Sequence, residues 1–320
     1  MRGALPRVVA RLPLALARTI EISRAGVELA SETIPGSFVY ATGLGSGFRA
    51  AMLFSRLYLT LGGVGSAAVP LDQLPDWLPE LRGRATMLVF SMTGEEEGLL
   101  EAVRVFRMKA RSPAVLGVTG RPESLLGRVS DIPVLVSLSP PIVAYPVLAL
   151  ASALLAASSS PRGLAGRIEE DVSSLPEAVE DAISSSSGAV ARVARELAPY
   201  RVGFVVGSGP NFPTALEVAE NLSRAAAFYL GYSPAEFSLA PARLLGPDTP
   251  VILLERDPSV LDYARRYGAP TVSVGWEGSD IAIPQRGGRE VSPVLISSVM
   301  AMLALRLAEE RGVDLGSLEV

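Results

Sequence analysis

The chain lacks two of the residues that most often carry chemistry in proteins. Among its 320 residues there is no cysteine and no histidine, and Lys109 is the single lysine beside many arginines. Thiolate nucleophiles, metal sites built from cysteine or histidine, and Ser-His-Asp triads are therefore excluded. Schiff-base chemistry would have to use Lys109. We expect neither a cofactor nor a metal site.

Neither sign of charge is in large excess, and side-chain amides are scarce. The net charge is −4 with no basic cluster, so we expect no nucleic-acid partner and no anionic membrane surface as a partner. The chain has two asparagines and two glutamines beside 25 prolines. This composition suits a thermophile, although a GC-rich genome produces much of the same bias. We expect a cytoplasmic protein.

Long hydrophobic runs are interrupted wherever they occur. Arg7, Arg11 and Arg18 interrupt the apolar residues of 1–20, which favours an amphipathic first helix over a secretory signal. Residues 132–160 carry no charge, but four prolines break the first half, and the remainder, Val147 to Ala157, is too short to span a bilayer. We expect an apolar helix buried between domains or subunits, and a homodimer or larger assembly; a membrane span is the alternative.

The stretch from Met87 to Glu97 organises the first half of the chain. An apolar run from Ala85 to Phe90 is typical of a buried parallel strand, and helical spacing resumes at Leu99. Ser91 and Thr93 are thereby predicted at a helix N-terminus, where free N–H groups and the helix dipole favour an anion such as phosphate. A plain helix cap would use the same residues and is the alternative.

Two glycine loops follow the same order of strand, loop and helix. The first is Gly43-Leu-Gly-Ser-Gly47, and its glycine spacing does not match a dinucleotide-binding fingerprint. It still allows backbone to approach a ligand closely, with Ser46 as a donor. The second, Gly207 to Pro213, contains Ser208 and precedes a helix predicted over Thr214 to Leu230.

Strands and helices alternate in both halves, which predicts an α/β fold with parallel sheets and ligands at the carboxyl ends of the strands. We expect a first domain over residues 1–160 with an N-terminal helix, and a second over 161–320 with a C-terminal helix. Each should hold a parallel sheet of about five strands. In the second half, a break at Ser184 to Ser187 is predicted to separate two helices.

Several motifs in this order resemble those of double SIS (sugar isomerase) domain proteins. Ser91-Met-Thr-Gly-Glu-Glu96 is similar to the family's Ser-Gln-Ser-Gly-Glu-Thr, and Gly207 to Glu217 is similar to Gly-Arg-Gly-x-x-Tyr-Pro-x-Ala-Leu-Glu. The segments Val118 to Asp131 and Ala308 to Asp314 also match. The family includes the isomerase half of glucosamine-6-phosphate synthase and archaeal sugar-phosphate deaminases and isomerases. The resemblance implies two tandem SIS-type α/β/α sandwich domains.

The resemblance also implies a site for a sugar phosphate. The candidate substrate-binding residues are Gly45, Ser46, Gly47, Ser91, Thr93, Gly94, Glu95, Ser208, Asn221 and Arg224. Two hydroxyls of the family are missing, because Gly47 and Glu96 stand in their places. A carboxylate repels a bound phosphate, so either Glu96 points away or the site no longer prefers phosphate.

The catalytic residues depart further from the family. Asn221 and Arg224 stand where the resemblance implies a lysine and the base glutamate, and Leu239 stands at the ring-opening histidine. Glu217 and Glu236 are the candidate catalytic carboxylates that remain, while Glu220 is expected to pair with Arg224. The sequence therefore favours a sugar-phosphate-binding protein without the customary catalysis. The alternative is an active isomerase or deaminase with a rearranged site.

Overall fold

The computed structural model describes residues 7–79, 81–160, 162–284 and 286–315. Residues 14–175 form one compact unit, and residues 7–13 together with the chain from residue 176 onward form another. The units part at Pro176, inside a helix, so the domain boundary near residue 160 stays a prediction. The predictions for residues 1–6 and 316–320 lie outside the described residues.

Twelve helices are found in the part of the chain that the structure describes. They are α1 (Arg7–Ala10), α2 (Leu12–Thr33), α3 (Ser46–Thr60), α4 (Leu74–Trp77), α5 (Leu99–Lys109), α6 (Leu125–Val129), α7 (Pro141–Ser158), α8 (Arg162–Leu197), α9 (Asn211–Ser223), α10 (Pro234–Leu239), α11 (Pro258–Tyr267) and α12 (Ser292–Arg311). A short 3₁₀ helix covers Pro241–Leu244. The strands are β1 (Phe38–Gly43), β2 (Ser66–Pro70), β3 (Leu81–Phe90), β4 (Ala110–Thr119), β5 (Ile132–Leu135), β6 (Val202–Val206), β7 (Phe228–Tyr232), β8 (Val251–Leu253) and β9 (Thr271–Ser273).

The first sheet is fully parallel and has the strand order β2-β1-β3-β4-β5. Residues 85–90 of β3 are buried, as the uninterrupted apolar run predicts for a strand covered on both faces. The chain order reverses between β1 and β3, which pair with Gly43 opposite Phe90. The loops that follow these two strands therefore meet at a topological switch point, where ligands bind in open parallel sheets.

The second sheet is also parallel, with the order β7-β6-β8-β9, and its order reverses between β6 and β8. The predicted α/β fold with two parallel sheets is confirmed. The second sheet contains four strands where about five were expected.

Strand β7 occupies residues that were predicted to continue a helix to Leu230. The alanine-rich segment suggests a helix, but α9 ends at Ser223. Ala226 has a φ of 54°, a conformation that residues with side chains rarely adopt and that no helix contains. The Ser223 hydroxyl then accepts a hydrogen bond of 3.0 Å from the Tyr229 N–H, and the chain turns back into the sheet.

The predicted break at Ser184 to Ser187 is wrong, because α8 continues through it to Leu197. The hydroxyls of Ser185 and Ser186 donate to the carbonyls of Asp181 and Ala182, four residues earlier, so they do not compete with the helix for its N–H groups. The buried face that contains Ile183 and Val190 is continuous across the serines.

The apolar helix α7 starts at Pro141 and contains Pro146, so the prolines do not break its first half as expected. Within its unit α7 packs against α3, and Val147 and Leu150 are fully buried in the single chain. Among the described residues, α7 and α12 are long and apolar enough to cross a membrane, with 83% and 78% of their tested windows buried inside the protein.

Candidate functional site

The first crevice is formed where the glycine loop after β1 meets the turn after β3. Gly45 adopts a φ of 51°, which favours glycine, and α3 begins at the next residue, Ser46. A Cβ on Gly47 would lie only 2.1 Å from the carbonyl oxygen of Phe90. The loop therefore packs directly against the end of β3, and the structure brings the two predicted segments together at the switch point.

The sequence predicted Ser91 and Thr93 at a helix N-terminus. The structure places both residues in a turn that precedes the helix. Helix α5 starts at Leu99, after Gly94 and Gly98 have turned the chain with φ angles of 72° and 83°. The N–H of Gly94 donates to the Ser91 hydroxyl over 2.6 Å, and Ser91 is 2% exposed. Both hydroxyls still lie in this turn, but α5 begins six residues after Thr93.

The Glu96 carboxylate points into this turn. The Ser91 hydroxyl lies 2.5 Å from both carboxylate oxygens of Glu96 and donates its hydrogen to them. Because a hydroxyl has one hydrogen, Ser91 has none left for a bound phosphate while Glu96 is in place. Glu96 therefore occupies the donor that the family resemblance assigns to the phosphate.

The remaining residues of the turn differ in whether their polar groups already have hydrogen-bond partners. The exposed Glu95 accepts a hydrogen bond of 3.1 Å from the N–H of Leu125, which ties the turn to the start of α6. A Cβ on Gly94 would meet the Ser124 hydroxyl at 2.1 Å, so this position requires glycine. The half-buried Thr93 hydroxyl has no hydrogen-bond partner among the described residues and is available to a ligand.

The sequence analysis missed Arg49. This half-buried residue lies in the first turn of α3, and its Nη1 is 3.8 Å from the position of a Cβ on Gly45. It places a positive charge beside the glycine loop. Its spacing of three residues from Ser46, within the first turn of the predicted helix, is the signal that could have identified it.

In the other unit, Ser208 belongs to a cluster that sequence reasoning did not find. Its hydroxyl makes a short hydrogen bond to the Glu255 carboxylate. Asn211 Nδ2 donates to Glu255 Oε1 over 3.0 Å, and Arg289 donates through Nε and Nη2 over 3.2 and 2.8 Å. The hydrogen bond to Glu255 raises the pKa of the Arg289 guanidinium.

The predicted polar residues of α9 form two separate pairs. Glu217 and Asn221 are buried, and Asn221 Nδ2 donates to Glu217 Oε1 over 3.3 Å. Arg224 forms the expected salt bridge with Glu220 at 2.7 Å, so that prediction is confirmed. This half-exposed salt bridge is enough to explain the presence of Arg224 at the end of α9 without any bound ligand.

Glu236, the other candidate catalytic carboxylate, caps a helix. Ser233 Oγ accepts from the Glu236 N–H at 3.3 Å, and Glu236 Oε2 accepts from the Ser233 N–H at 3.4 Å, which together form the capping box of α10. Leu239, at the position of the family's ring-opening histidine, is 74% exposed. Whether Glu236 acts in catalysis stays a prediction.

Comparison with known proteins gives a consistent result. No protein-family model matches the chain. It is 26% identical over 307 residues to a glutamine–fructose-6-phosphate aminotransferase (isomerizing) from Gloeobacter violaceus, covering 86% of this chain and 49% of that protein. It is also 26% identical to the Aeropyrum pernix protein of the same name, covering 94% and 54%. The chain thus spans about half the length of these curated relatives.

Solved structures share the fold over nearly the whole chain. The C-terminal domain of glucosamine-fructose-6-phosphate aminotransferase from Francisella tularensis has a TM-score of 0.83 at 17% identity, covering 96% of this chain and 95% of that one. Glucosamine-6-phosphate deaminase from Thermotoga maritima has a TM-score of 0.75 at 22% identity, with the same coverage. The resemblance predicted from the sequence is confirmed: the chain is similar in sequence to these isomerizing aminotransferases and shares the fold of these sugar-phosphate proteins.

The tight packing of the glycine loop predicts that Gly47→Ala destabilises the protein. The added Cβ would collide with the Phe90 backbone, which cannot move aside easily, and we expect a loss of about 1–3 kcal/mol in the free energy of unfolding. Gly188→Ala is the matched control, because Gly188 is an exposed glycine of α8 with nothing near its Cβ position. It should stabilise the protein slightly through its helix propensity. Equal effects of the two changes in chemical denaturation would contradict the packing we describe.

Proposed function

We propose that this protein binds a sugar phosphate, with the phosphate in the first crevice, between the loop Gly43–Gly47 and the turn Ser91–Gly94. The names of its relatives support this class of ligand, since they concern fructose 6-phosphate and glucosamine 6-phosphate. A structural neighbour of TM-score 0.69 is a tagatose-6-phosphate ketose/aldose isomerase from Escherichia coli. Each of these substrates is a sugar 6-phosphate.

The observation that carries this proposal is the convergence of donors at the first switch point. Helix α3 begins at Ser46, so the positive end of its dipole lies at the crevice. Arg49 adds a guanidinium beside the loop, and the Thr93 hydroxyl has no partner among the described residues. The helix dipole, a hydroxyl and a cation together suit a phosphate dianion.

Glu96 lowers the affinity of the first crevice for phosphate. A phosphate that takes the Ser91 hydroxyl must first displace the Glu96 carboxylate, because two anions cannot share one donor at this distance. The measured affinity is then lower than the intrinsic affinity by the fraction of molecules in which Glu96 has moved away. Sugar phosphates should therefore bind, but less tightly than to a crevice without this carboxylate.

We also propose that binding occurs without the customary catalysis. Aldose-ketose isomerisation needs a positioned base, and the two available carboxylates are engaged: Glu236 in a capping box and Glu217 with Asn221. One observation favours the alternative of an active isomerase or deaminase. Glu217 is only 2% exposed, and buried carboxylates are frequent among catalytic bases.

We further propose a cytoplasmic homodimer. The apolar helix α7 no longer supports the dimer, because the single chain already covers it. Light scattering at micromolar concentration should give twice the chain mass of 33.5 kDa. A particle of 33.5 kDa would remove the dimer from the proposal.

Removing the charge of Glu96 should strengthen sugar-phosphate binding. Glu96→Gln keeps the side-chain shape and an oxygen for Ser91 but removes the repulsion, so we expect the Kd for fructose 6-phosphate or glucosamine 6-phosphate to fall by at least about tenfold. Isothermal titration calorimetry at fixed salt measures the change. Glu97→Gln is the control, since Glu97 is exposed and has no partner among the described residues; it should change the Kd less than twofold.

The same titration can reject the crevice. The double change Ser91→Ala and Thr93→Ala removes two hydroxyls that we assign to the phosphate and should weaken binding markedly. If it leaves the Kd unchanged, and Glu96→Gln does too, the ligand does not bind at the first switch point.

Turnover of these sugar phosphates should be absent or very slow. Without a positioned acid and base we expect rates about 100-fold to 10,000-fold below an ordinary enzyme of this class. Coupled assays of isomerisation and of ammonia release test this. A kcat in the ordinary range of about 1–1,000 per second, abolished by Glu217→Gln or Glu236→Gln, would replace the proposal with the active-enzyme alternative.

A further inference from the structure

The second switch point, between β6 and β8, gathers donors around one carboxylate. Ser208 follows β6, Glu255 follows β8, and Asn211 begins the thirteen-residue helix α9. The Ser208 hydroxyl, the Asn211 amide and two nitrogens of Arg289 all donate to the Glu255 carboxylate. A hydroxyl, an amide and a bidentate guanidinium at the carboxyl edge of a parallel sheet form a donor set suited to an anionic ligand.

A pocket of about 360 Å³ opens directly beside this cluster, which is room for a small metabolite. Apolar side chains and one indole form much of its wall. They are Leu254, Trp276, Ile283, Pro284, Leu295 and Ile296. The glycines 275, 287 and 288 form another part of the wall, where backbone can approach a ligand closely.

The charges that line this pocket favour an anion. Arg256, Arg286 and Arg289 line it together with one carboxylate, that of Glu255. Arg286 is paired with Asp181 at 2.6 Å, whereas the exposed Arg256 has no partner among the described residues. Even with Asp181 counted, the three guanidinium groups of the described lining residues outnumber these two carboxylates.

A buried acceptor in the pocket wall lacks a partner. Asn211 is 1% exposed, and its Nδ2 donates to Glu255 and to the Ser292 hydroxyl, but its Oδ1 accepts no hydrogen bond from any described residue. A buried polar atom without a partner costs free energy unless a ligand or water satisfies it. A ligand for this pocket should therefore carry a hydroxyl donor close to its anionic group.

We propose that this pocket is a second ligand site, for a phosphomonoester with a hydroxylated body, and that the Glu255 carboxylate competes with the phosphate for the same donors. The phosphate takes the hydrogen bonds of Ser208 and Arg289, and a hydroxyl of the body donates to Asn211 Oδ1. The apolar wall and Trp276 pack against the C–H face of the body. A dianion with three terminal oxygens is the stronger partner for this donor set than a single carboxylate.

Trp276 provides a reporter for this site alone. The chain has two tryptophans, and Trp77→Phe removes the exposed one, which lies in the other unit. In that background we expect glucose 6-phosphate to change the fluorescence saturably at millimolar concentration. Glucose, which lacks the phosphate, should not do so.

Glu255→Gln is the decisive variant, because it tests a gain that misfolding cannot produce. It removes the competing charge and should lower the Kd for glucose 6-phosphate by at least about tenfold. Glu277→Gln makes the same change of net charge beside Trp276 at an exposed position outside the donor set, and it should change the Kd less than twofold. Arg289→Gln combined with Glu255→Gln should reverse the gain.

Failure here is distinguishable from failure of the proposed function. The changes Ser91→Ala and Thr93→Ala should leave the Trp276 titration unchanged, because they lie in the other unit. The second site is ruled out if glucose 6-phosphate gives no saturable signal in the Glu255→Gln protein, or if the Glu255→Gln and Glu277→Gln proteins bind it equally. It is also ruled out if the signal requires Ser91 and Thr93.

Discussion

Hydrogen-bond donors accumulate at the carboxyl edge of a parallel sheet, and something with negative charge must satisfy them. In both units of this chain the strand order reverses beside the first strand of the sheet, so a glycine loop, a helix start and a neighbouring turn meet at one place. In each of these places a serine hydroxyl donates to a glutamate of the same chain, Ser91 to Glu96 and Ser208 to Glu255. The chain supplies its own anions where ligands of this fold class bind.

An internal carboxylate has two opposite effects at such a crevice. It stabilises the unliganded protein, because buried donors without an acceptor would cost about 1–3 kcal/mol each. It also raises the concentration of ligand that is needed, because the carboxylate must leave before phosphate can bind. Weak binding would therefore be a property of these glutamates and would not show that the crevices have lost their function.

The sequence was sufficient to predict strand β3 and both glycine loops, because their patterns are local. The apolar run Ala85–Phe90 and the loop Gly43–Gly47 each determine their structure from a few neighbouring residues. Local patterns failed where tertiary contacts decide, as at Ala226, which begins a turn into β7, and at Ser186, whose hydroxyl folds back onto α8. The cluster around Glu255 could not be predicted from the spacing of residues in the sequence. Ser208 and Arg289, which donate to Glu255, lie 47 and 34 residues away from it along the chain.

The shared fold does not decide between binding and catalysis, because identities of 17–22% to solved structures establish the fold alone. The glutamates offer a finer criterion. Glu96, Glu220 and Glu236 each have a structural contact that explains their presence: a serine, an arginine and a helix cap. Glu217 is different, since it is 2% exposed on α9, where it accepts a hydrogen bond from the Asn221 amide. Taking a carboxyl group out of water costs free energy, a cost that an exposed glutamate does not carry. If any chemistry persists in this chain, we propose Glu217 as the first residue to test for it.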